Sequence, residues 1–172
     1  MTTVLVTGPI GGGKSTVCRY LEAAGHPVYD CDSRCKALYD SVPGLKSRIE
    51  AELGIPFPEL ARVFEEPEKL RRLEAMVYPL LLEDVEAWKA SLDAPLAFIE
   101  SAVALEKPEF RHLWDKVLMV SAPQRLRRVR NPRATRRDAL QHFDTELIDY
   151  TVQNDSTLES LYQKTEQFLA TL

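Results

Sequence analysis

The sequence contains no apolar run long enough to cross a membrane. The first predicted strand begins almost at the N-terminus, which leaves no room for a secretory signal. Cysteine is scarce, and three residues are the odd, low count that is typical of reduced thiols. A basic excess is also absent, because the net charge is −4. We therefore expect a cytoplasmic protein that binds neither membranes nor nucleic acid.

Internal repeats and low-complexity tracts are absent as well, and 172 residues suffice for one domain with a full core. Short apolar runs alternate with stretches of helical period, which predicts helices wrapped around a parallel sheet. Five strands are predicted, in the segments VLV (4–6), HPVYD (26–30), LAFIES (96–101), KVLMVS (116–121) and DYTVQN (149–154).

Helices are predicted in the connections between these strands. The first follows the opening strand and stops at Gly25, because glycine favours the end of a helix. The second covers residues 31–40. Four prolines divide the segment 43–66 into short helices and turns.

Three further helices carry clear sequence signals. An amphipathic stretch runs over residues 67–92, and Pro79 inside it is expected to kink or break the helix. The last helix is predicted to begin at Ser156, whose spacing to Glu159 is that of a capping box. A shorter helix opens at Pro123.

The segment TGPIGGGKST (7–16) contains the phosphate-binding loop pattern Gly8-x-x-x-x-Gly13-Lys14-Ser15. Lys14 can reach the β- and γ-phosphates, and the Ser15 hydroxyl can bind Mg²⁺ as a metal ligand. A chance match in a glycine-rich turn is the alternative, but a strand before the loop and a helix after it argue against that. The loop predicts ATP with the cofactor Mg²⁺, bound by Gly11, Gly12, Gly13, Lys14, Ser15 and Thr16.

Five short parallel strands around such a loop are typical of a small nucleotide kinase rather than a large ATPase. The predicted fold class is α/β, a three-layer P-loop NTPase fold of the nucleoside-kinase type. It has a five-stranded parallel sheet and a helical region for substrate and lid. We predict a single domain over residues 1–172.

Acidic residues follow two of the strands, where ligands bind in an open α/β sheet. Asp30 and Asp32 come at the end of the second strand. Either could accept a proton from an attacking hydroxyl, and either could cap the next helix; we favour Asp32 as the base. Glu100 ends the third strand, where it either supports Mg²⁺ through water or is a solvated carboxylate.

A dense group of arginines follows the fourth strand, where small kinases place a mobile lid, here over residues 123–147. Guanidinium groups clamp phosphates, but one helix cannot aim all of them at one ligand, so we expect about two to be functional. RNA binding is disfavoured by the acidic remainder of the chain and the lack of interleaved aromatic residues. The arginines are Arg125, Arg127, Arg128, Arg130, Arg133, Arg136 and Arg137.

These segments, taken in order, resemble the bacterial dephospho-CoA kinases over nearly the whole chain. The resemblance implies transfer of the ATP γ-phosphate to the 3′-hydroxyl of dephospho-CoA, giving coenzyme A and ADP. The expected partners are therefore ATP and dephospho-CoA as small-molecule ligands, and we expect a monomer or weak oligomer. The matching segments are VTGPIGGGKSTV, GHPVYDCDSRCK, FEEPEKLRRLEAMVYPLLLEDV, FIESAVALE, VLMVSAPQRLRRVRNPRAT and DYTVQN.

The resemblance also implies roles for individual residues. Asp32 is the catalytic base, while Lys14 and Arg130 hold the transferring phosphoryl group. Asn154 joins the ATP site, and Glu100 keeps its place as the metal-supporting acid. The helical region 43–92 is expected to cover the pantetheine arm. The acceptor-binding residues implied are Asp32, Lys36, Tyr78 and Glu106.

The sequence departs from the family pattern at three places. Tyr78-Pro79 stands where the family has His-Pro, Ala102 replaces a proline, and the connection from the lid to the last strand is shorter. Two alternatives therefore stay open. One is another small-molecule P-loop kinase, acting on a nucleotide or metabolite. The other is a degenerate nucleotide-binding paralogue without turnover, against which the intact Lys14 and Asp32 argue.

Overall fold

The computed structural model describes residues 1–134, 138 and 141–172. Its strands are β1 (Thr2–Thr7), β2 (Val28–Asp30), β3 (Leu96–Glu100), β4 (Lys116–Ser121) and β5 (Tyr150–Gln153). They form one sheet in the order β2-β3-β1-β4-β5, and every neighbouring pair is parallel. The predicted five-stranded parallel sheet is therefore confirmed, and β4 has the predicted bounds.

The helices described are α1 (Lys14–Ala23), α2 (Cys31–Ser41), α3 (Leu45–Leu53), α4 (Pro67–Ala90), α5 (Gln124–Arg130) and α6 (Leu158–Leu169). Short 3₁₀ segments lie between them, at Phe57–Glu65, Ala104–Glu106, Pro108–Leu113 and Thr145–Leu147. Within the described residues, none of these helices is both long and apolar enough to cross a membrane.

The chain divides into two compact units. The sheet unit comprises Met1–Asp30 and Asp93–Leu172, and the helical unit comprises Cys31–Leu92. The helical unit therefore includes the whole of the predicted region 43–92. A single domain over 1–172 stays a prediction.

The core of the sheet unit lies between one face of the sheet and two helices. Because side chains alternate along a strand, every second residue of β1, β3 and β4 points to this face. Helices α1 and α6 cover the face with apolar residues of their own. Buried residues of this core include Val4, Val6, Val17, Leu21, Phe98, Leu118, Val120, Leu161 and Phe168.

The register of the sheet brings strand ends together. Val6 of β1 pairs with Glu100 of β3, and Asp30 of β2 pairs with the same Glu100. On the other side of β1, Thr7 pairs with Met119 of β4. The carboxyl ends of β1, β2 and β3 therefore meet at one edge of the sheet, which is where the acidic residues were predicted.

The helical unit has its own core, built from α3, the Phe57–Glu65 segment and α4. Its buried residues are Leu45, Ile49, Leu53, Ile55, Val63, Leu73 and Val77. Helix α4 runs through Pro79 without ending. Of the predicted kink or break at this residue, the break is therefore wrong and the kink stays a prediction. Proline removes one hydrogen bond from a helix, but four buried residues at four-residue intervals hold α4 on both sides of it. These are Leu73, Val77, Leu81 and Val85.

The N-cap of helix α6 lies one residue later than predicted. The Thr157 hydroxyl accepts a hydrogen bond from the Ser160 amide at 3.1 Å, and Thr157 has the extended backbone of an N-cap. The predicted capping box of Ser156 and Glu159 is therefore wrong. Serine and threonine are both favoured at the N-cap and are adjacent here, so the N-cap preference alone does not choose between them.

We expect Thr157→Ala to lower the free energy of unfolding by about 1 kcal/mol, because the Ser160 amide loses its acceptor. The matched control is Ser156→Ala, which should change stability far less. Urea denaturation of both variants measures the difference. Equal losses in the two variants would contradict the assignment of the cap.

Candidate active site

The phosphate-binding loop between β1 and α1 is tightly enclosed. Gly11 and Gly13 have φ values of 74° and 108°, which favour glycine. A Cβ on Gly13 would lie 2.3 Å from Asn154 Nδ2, and the same amide donates to the Gly12 carbonyl at 3.1 Å. Asn154 follows β5, so the structure brings this predicted ATP-site residue onto the loop.

Lys14 and Ser15 open helix α1 directly after the loop. The Lys14 ammonium donates to the carbonyl oxygens of Gly8 at 2.8 Å and Pro9 at 3.3 Å. Thr16 follows in the first turn of α1. The lysine charge and the positive end of the helix dipole both favour an anion at this place.

Ser15 meets Glu100 at the end of the sheet. The Ser15 hydroxyl donates to Glu100 Oε1 at 2.8 Å. Burial raises the pKa of Glu100, and the Asp30 charge raises it further. The Ser15 hydrogen bond and the Lys14 charge act in the opposite direction and lower the pKa. Hydroxyl and carboxylate oxygens are the ligands that Mg²⁺ prefers. Ser15 and Glu100, the two residues predicted to support Mg²⁺, therefore lie in contact, and their oxygen atoms suit this ion.

The Cys18 thiol of α1 has the Glu100 charge as a neighbour, which sequence reasoning did not identify. Cys18 is only 3% exposed. Its pKa is raised, first by burial and then by the neighbouring Glu100 charge, so the thiol keeps its proton at neutral pH.

Arg130, the predicted lid arginine, lies against the loop. Its guanidinium donates to the Gly11 carbonyl at 3.3 Å and to the Asn154 carbonyl at 3.5 Å. Arg130 is at the C-terminal end of α5, so the helix directs it back toward the loop. Arg136 and Arg137, which belong to the same predicted group, lie outside the described residues.

Arg127 is the functional candidate that the sequence analysis did not single out. Its side chain is buried and forms two hydrogen bonds to Asp138, at 2.5 and 3.1 Å. It also donates to the Ile10 carbonyl at 3.4 Å, while Gln141 Oε1 accepts from the Ile10 amide at 3.3 Å. The sequence did contain a signal that could have identified Arg127. Residues three apart on a helix share a face, so Arg127 lies on the same face as Arg130.

The predicted base lies at the start of the helical unit. Asp32 is in the first turn of α2, two residues after the end of β2, where a negative charge suits the helix dipole. Lys36 is four residues further on and shares the same face of the helix. The Arg34 guanidinium donates twice to the Asp84 carboxylate, at 2.8 and 2.7 Å, and so fastens α2 to α4.

The other predicted acceptor-binding residues have different surroundings. The Tyr78 hydroxyl donates to Glu74 Oε1 at 3.1 Å, within α4. Glu106 belongs to the sheet unit, and its carboxylate accepts from the Asp144 amide at 3.0 Å. The structure therefore ties Glu106 to the segment before β5.

A phosphate-binding loop after the central strand of a parallel sheet with this strand order places the protein among the small P-loop kinases. A dephospho-CoA kinase of Porphyromonas gingivalis is 34% identical, over 76% of this chain and 68% of that protein. One from Anaeromyxobacter dehalogenans is 32% identical, over 100% of this chain and 92% of that protein. The chain belongs to the dephospho-CoA kinase family, as its resemblance predicted.

Solved structures give the same fold. A crystal structure from Thermus thermophilus has a TM-score of 0.83 at 28% identity, covering 99% of this chain and 97% of that chain. Shikimate kinase from Acinetobacter baumannii has a TM-score of 0.56 at 19% identity, covering 99% and 94%, and shows the fold alone. No protein-family model matches the sequence. The predicted fold class is confirmed, while the roles of the site residues stay predictions.

We expect Gly13→Ala to weaken nucleotide binding at least about tenfold, because the new Cβ collides with Asn154 and moves the loop. Gly25→Ala is the matched control. Gly25 also has a positive φ, 91°, but a Cβ there would meet nothing within 4 Å. Titration of ADP by calorimetry measures both variants. Equal affinities in the two variants would contradict the importance of the Asn154 contact.

We expect Asp138→Asn to destabilise the protein at pH 7 by on the order of 1 kcal/mol, because Arg127 loses its charged partner. Hydrogen bonds from Arg127 lower the pKa of Asp138 below its ordinary value of 3.8. A lowered pKa stabilises the folded protein above that value and ceases to do so as the pH falls through the folded pKa.

The difference between wild type and Asp138→Asn should therefore shrink below about pH 4. Asp155→Asn is the control, because Asp155 forms an exposed ion pair with Lys164 and should matter much less. Urea denaturation at several pH values measures all three proteins. A loss that is independent of pH would contradict the ion pair as its cause.

Proposed function

We propose that the protein transfers the γ-phosphate of ATP to the 3′-hydroxyl of dephospho-CoA, giving coenzyme A and ADP. The observation that carries this proposal is the similarity to proteins named dephospho-CoA kinase along the whole chain. A cytoplasmic location and a monomeric or weakly oligomeric state stay predictions.

On the ATP side, the proposal uses cations that already contact the loop. Lys14 donates to Gly8 and Pro9 carbonyls, and Arg130 donates to the Gly11 carbonyl. In the complex, these two side chains would turn to the phosphate oxygens of ATP. Positive charge there stabilises the loose transition state, in which negative charge spreads over the transferring group.

Ser15 and Glu100 are the proposed protein ligands for Mg²⁺, directly or through water. When bound, Mg²⁺ neutralises charge on the β- and γ-phosphates. The Ser15 oxygen can offer a lone pair to the ion while its O–H still donates to Glu100, since the present 2.8 Å hydrogen bond uses the hydroxyl only as a donor.

On the acceptor side, we assign the base to Asp32. Its carboxylate would take the proton of the 3′-hydroxyl, the ribose oxygen would attack the γ-phosphorus in line, and ADP would leave. Lys36, one turn along the same face of α2, would bind a negatively charged part of the acceptor. Tyr78 and Glu106 are proposed to contact the acceptor, and the helical region 43–92 would cover its pantetheine arm.

A second candidate function is a P-loop kinase with another small acceptor. Tyr78 favours it, because a tyrosine hydroxyl that is bonded to Glu74 cannot supply the positive charge of a histidine. The resemblance to shikimate kinase is limited to the fold. A panel of acceptors distinguishes this function from the first.

We expect ADP release from Mg·ATP to depend on dephospho-CoA, and to fall at least about 100-fold in Asp32→Asn because the base is lost. ATP binding by the variant should be unchanged in a calorimetric titration. A coupled assay of ADP formation, run with and without each acceptor, makes the measurement. Asp30→Asn is the matched control and should lose much less activity.

The other outcomes are equally informative. Full turnover by Asp32→Asn would show that the base is wrong, and loss in Asp30→Asn alone would move that role to Asp30. ADP release with a different acceptor only would support the second candidate function. ATP binding without ADP release for any acceptor would support a paralogue without turnover.

A further inference from the structure

Asn154 connects the end of the sheet to the phosphate-binding loop. Its backbone N–H donates to the Ser121 carbonyl of β4 at 2.7 Å, and its side-chain amide donates to the Gly12 carbonyl at 3.1 Å. Only 9% of Asn154 is exposed. Because a Cβ on Gly13 would lie 2.3 Å from the same side-chain amide, the position of Asn154 determines how closely the loop is enclosed on this side.

The backbone around Asn154 has limited support from the sheet itself. Strand β5 ends at Gln153 and is an edge strand, with β4 on one side only. An edge strand leaves part of its backbone carbonyls without a strand to bond them. Residues 154–157 then lead to α6 without forming helix or strand. Exposed backbone of this kind opens locally unless side chains from elsewhere hold it.

Lys164 of α6 bonds both residues that flank Asn154. Its ammonium donates to the Gln153 carbonyl at 2.7 Å and to Asp155 Oδ1 at 3.1 Å. A charged donor makes shorter hydrogen bonds that are roughly twice as strong as those between neutral groups. One side chain therefore holds the backbone immediately before Asn154 and the side chain immediately after it.

The helix that carries Lys164 is fixed independently of this ammonium. Leu161, Thr165 and Phe168 of α6 are buried, and Leu161 and Phe168 belong to the core of the sheet unit. These residues lie on either side of Lys164 along the helix, so core packing sets its backbone position. A substitution of Lys164 should therefore release the segment 153–155 without moving the helix.

We propose that Lys164 is a positioning residue for the nucleotide site: it fixes the chain on both sides of Asn154 and so holds the Asn154 amide against the phosphate-binding loop. This inference rests on nucleotide binding by the loop in the proposed function. The ammonium of Lys164 bonds residues 153 and 155, and its effect reaches the loop only through Asn154. Helix α6 thereby contributes to nucleotide binding.

The test is the affinity for ADP, measured by calorimetric titration in the presence of Mg²⁺. Lys164→Met keeps a long unbranched side chain but removes the donor, so the affinity should fall roughly three- to tenfold, the range of one hydrogen bond. Lys164→Arg keeps a charged donor and should restore the affinity to within about twofold of wild type. Urea denaturation of each variant verifies that it is folded at the temperature of the titration.

Two controls separate positioning from the loss of a lysine. Lys69 has a side-chain exposure of 32%, against 34% for Lys164, and pairs with Glu66 at 2.8 Å in the helical unit. Lys69→Met should therefore leave the affinity for ADP unchanged. In an Asn154→Ala background, Lys164→Met should have little further effect, because the side chain that it positions is gone.

An unchanged affinity in Lys164→Met would overturn the proposal. An equal loss in Lys69→Met, or an undiminished effect of Lys164→Met in the Asn154→Ala background, would overturn it as well. The titration needs no acceptor, so a loss in Lys164→Met that disappears in the Asn154→Ala background supports the inference even where dephospho-CoA is not phosphorylated.

The inference and the proposed function can also fail separately. Phosphorylation of dephospho-CoA by the wild type, with an unchanged ADP affinity in Lys164→Met, would leave the proposed function intact and overturn the inference. A wild type that does not bind ADP would overturn both.

Discussion

The site depends on a glycine-rich backbone that is enclosed on three sides. A Cβ on Gly12 would lie 2.7 Å from the Val120 carbonyl, one on Gly11 would lie 2.9 Å from the Arg127 carbonyl, and one on Gly13 would meet the Asn154 amide. The end of β4, helix α5 and the residue after β5 therefore fix the loop. Only glycine, which has no Cβ, fits backbone approaches this close. The packing of β4, α5 and Asn154 against the loop therefore requires the glycines of the loop sequence.

This enclosure explains how the charges are arranged. Three cations donate to carbonyl oxygens of the loop: Lys14 to Gly8, Arg127 to Ile10, and Arg130 to Gly11. Because each cation is hydrogen-bonded to a carbonyl oxygen of the loop, the three positive charges lie around the same loop. Their summed field, with the N-terminus of α1, favours a polyphosphate more strongly than any one of them.

Sequence reasoning predicts the features that local chemistry decides. The alternation of apolar runs identified all five strands, and the spacing of Gly13, Lys14 and Ser15 identified the loop. Sequence reasoning failed where contacts between residues far apart in the sequence decide the local structure. Core packing carries α4 through Pro79, and burial against Asp138 distinguishes Arg127 from its neighbours.

The acidic end of the sheet gives the remaining physical argument. Asp30 and Glu100 are paired in register, and the Asp30 charge raises the pKa of Glu100. The hydrogen bond from Ser15 and the Lys14 charge favour the ionised form of Glu100. A divalent cation near these groups relieves the repulsion that they otherwise share. In the proposed function, the carboxylates thus favour a nucleotide that arrives with its metal over one that arrives alone, because only the former supplies the missing positive charge.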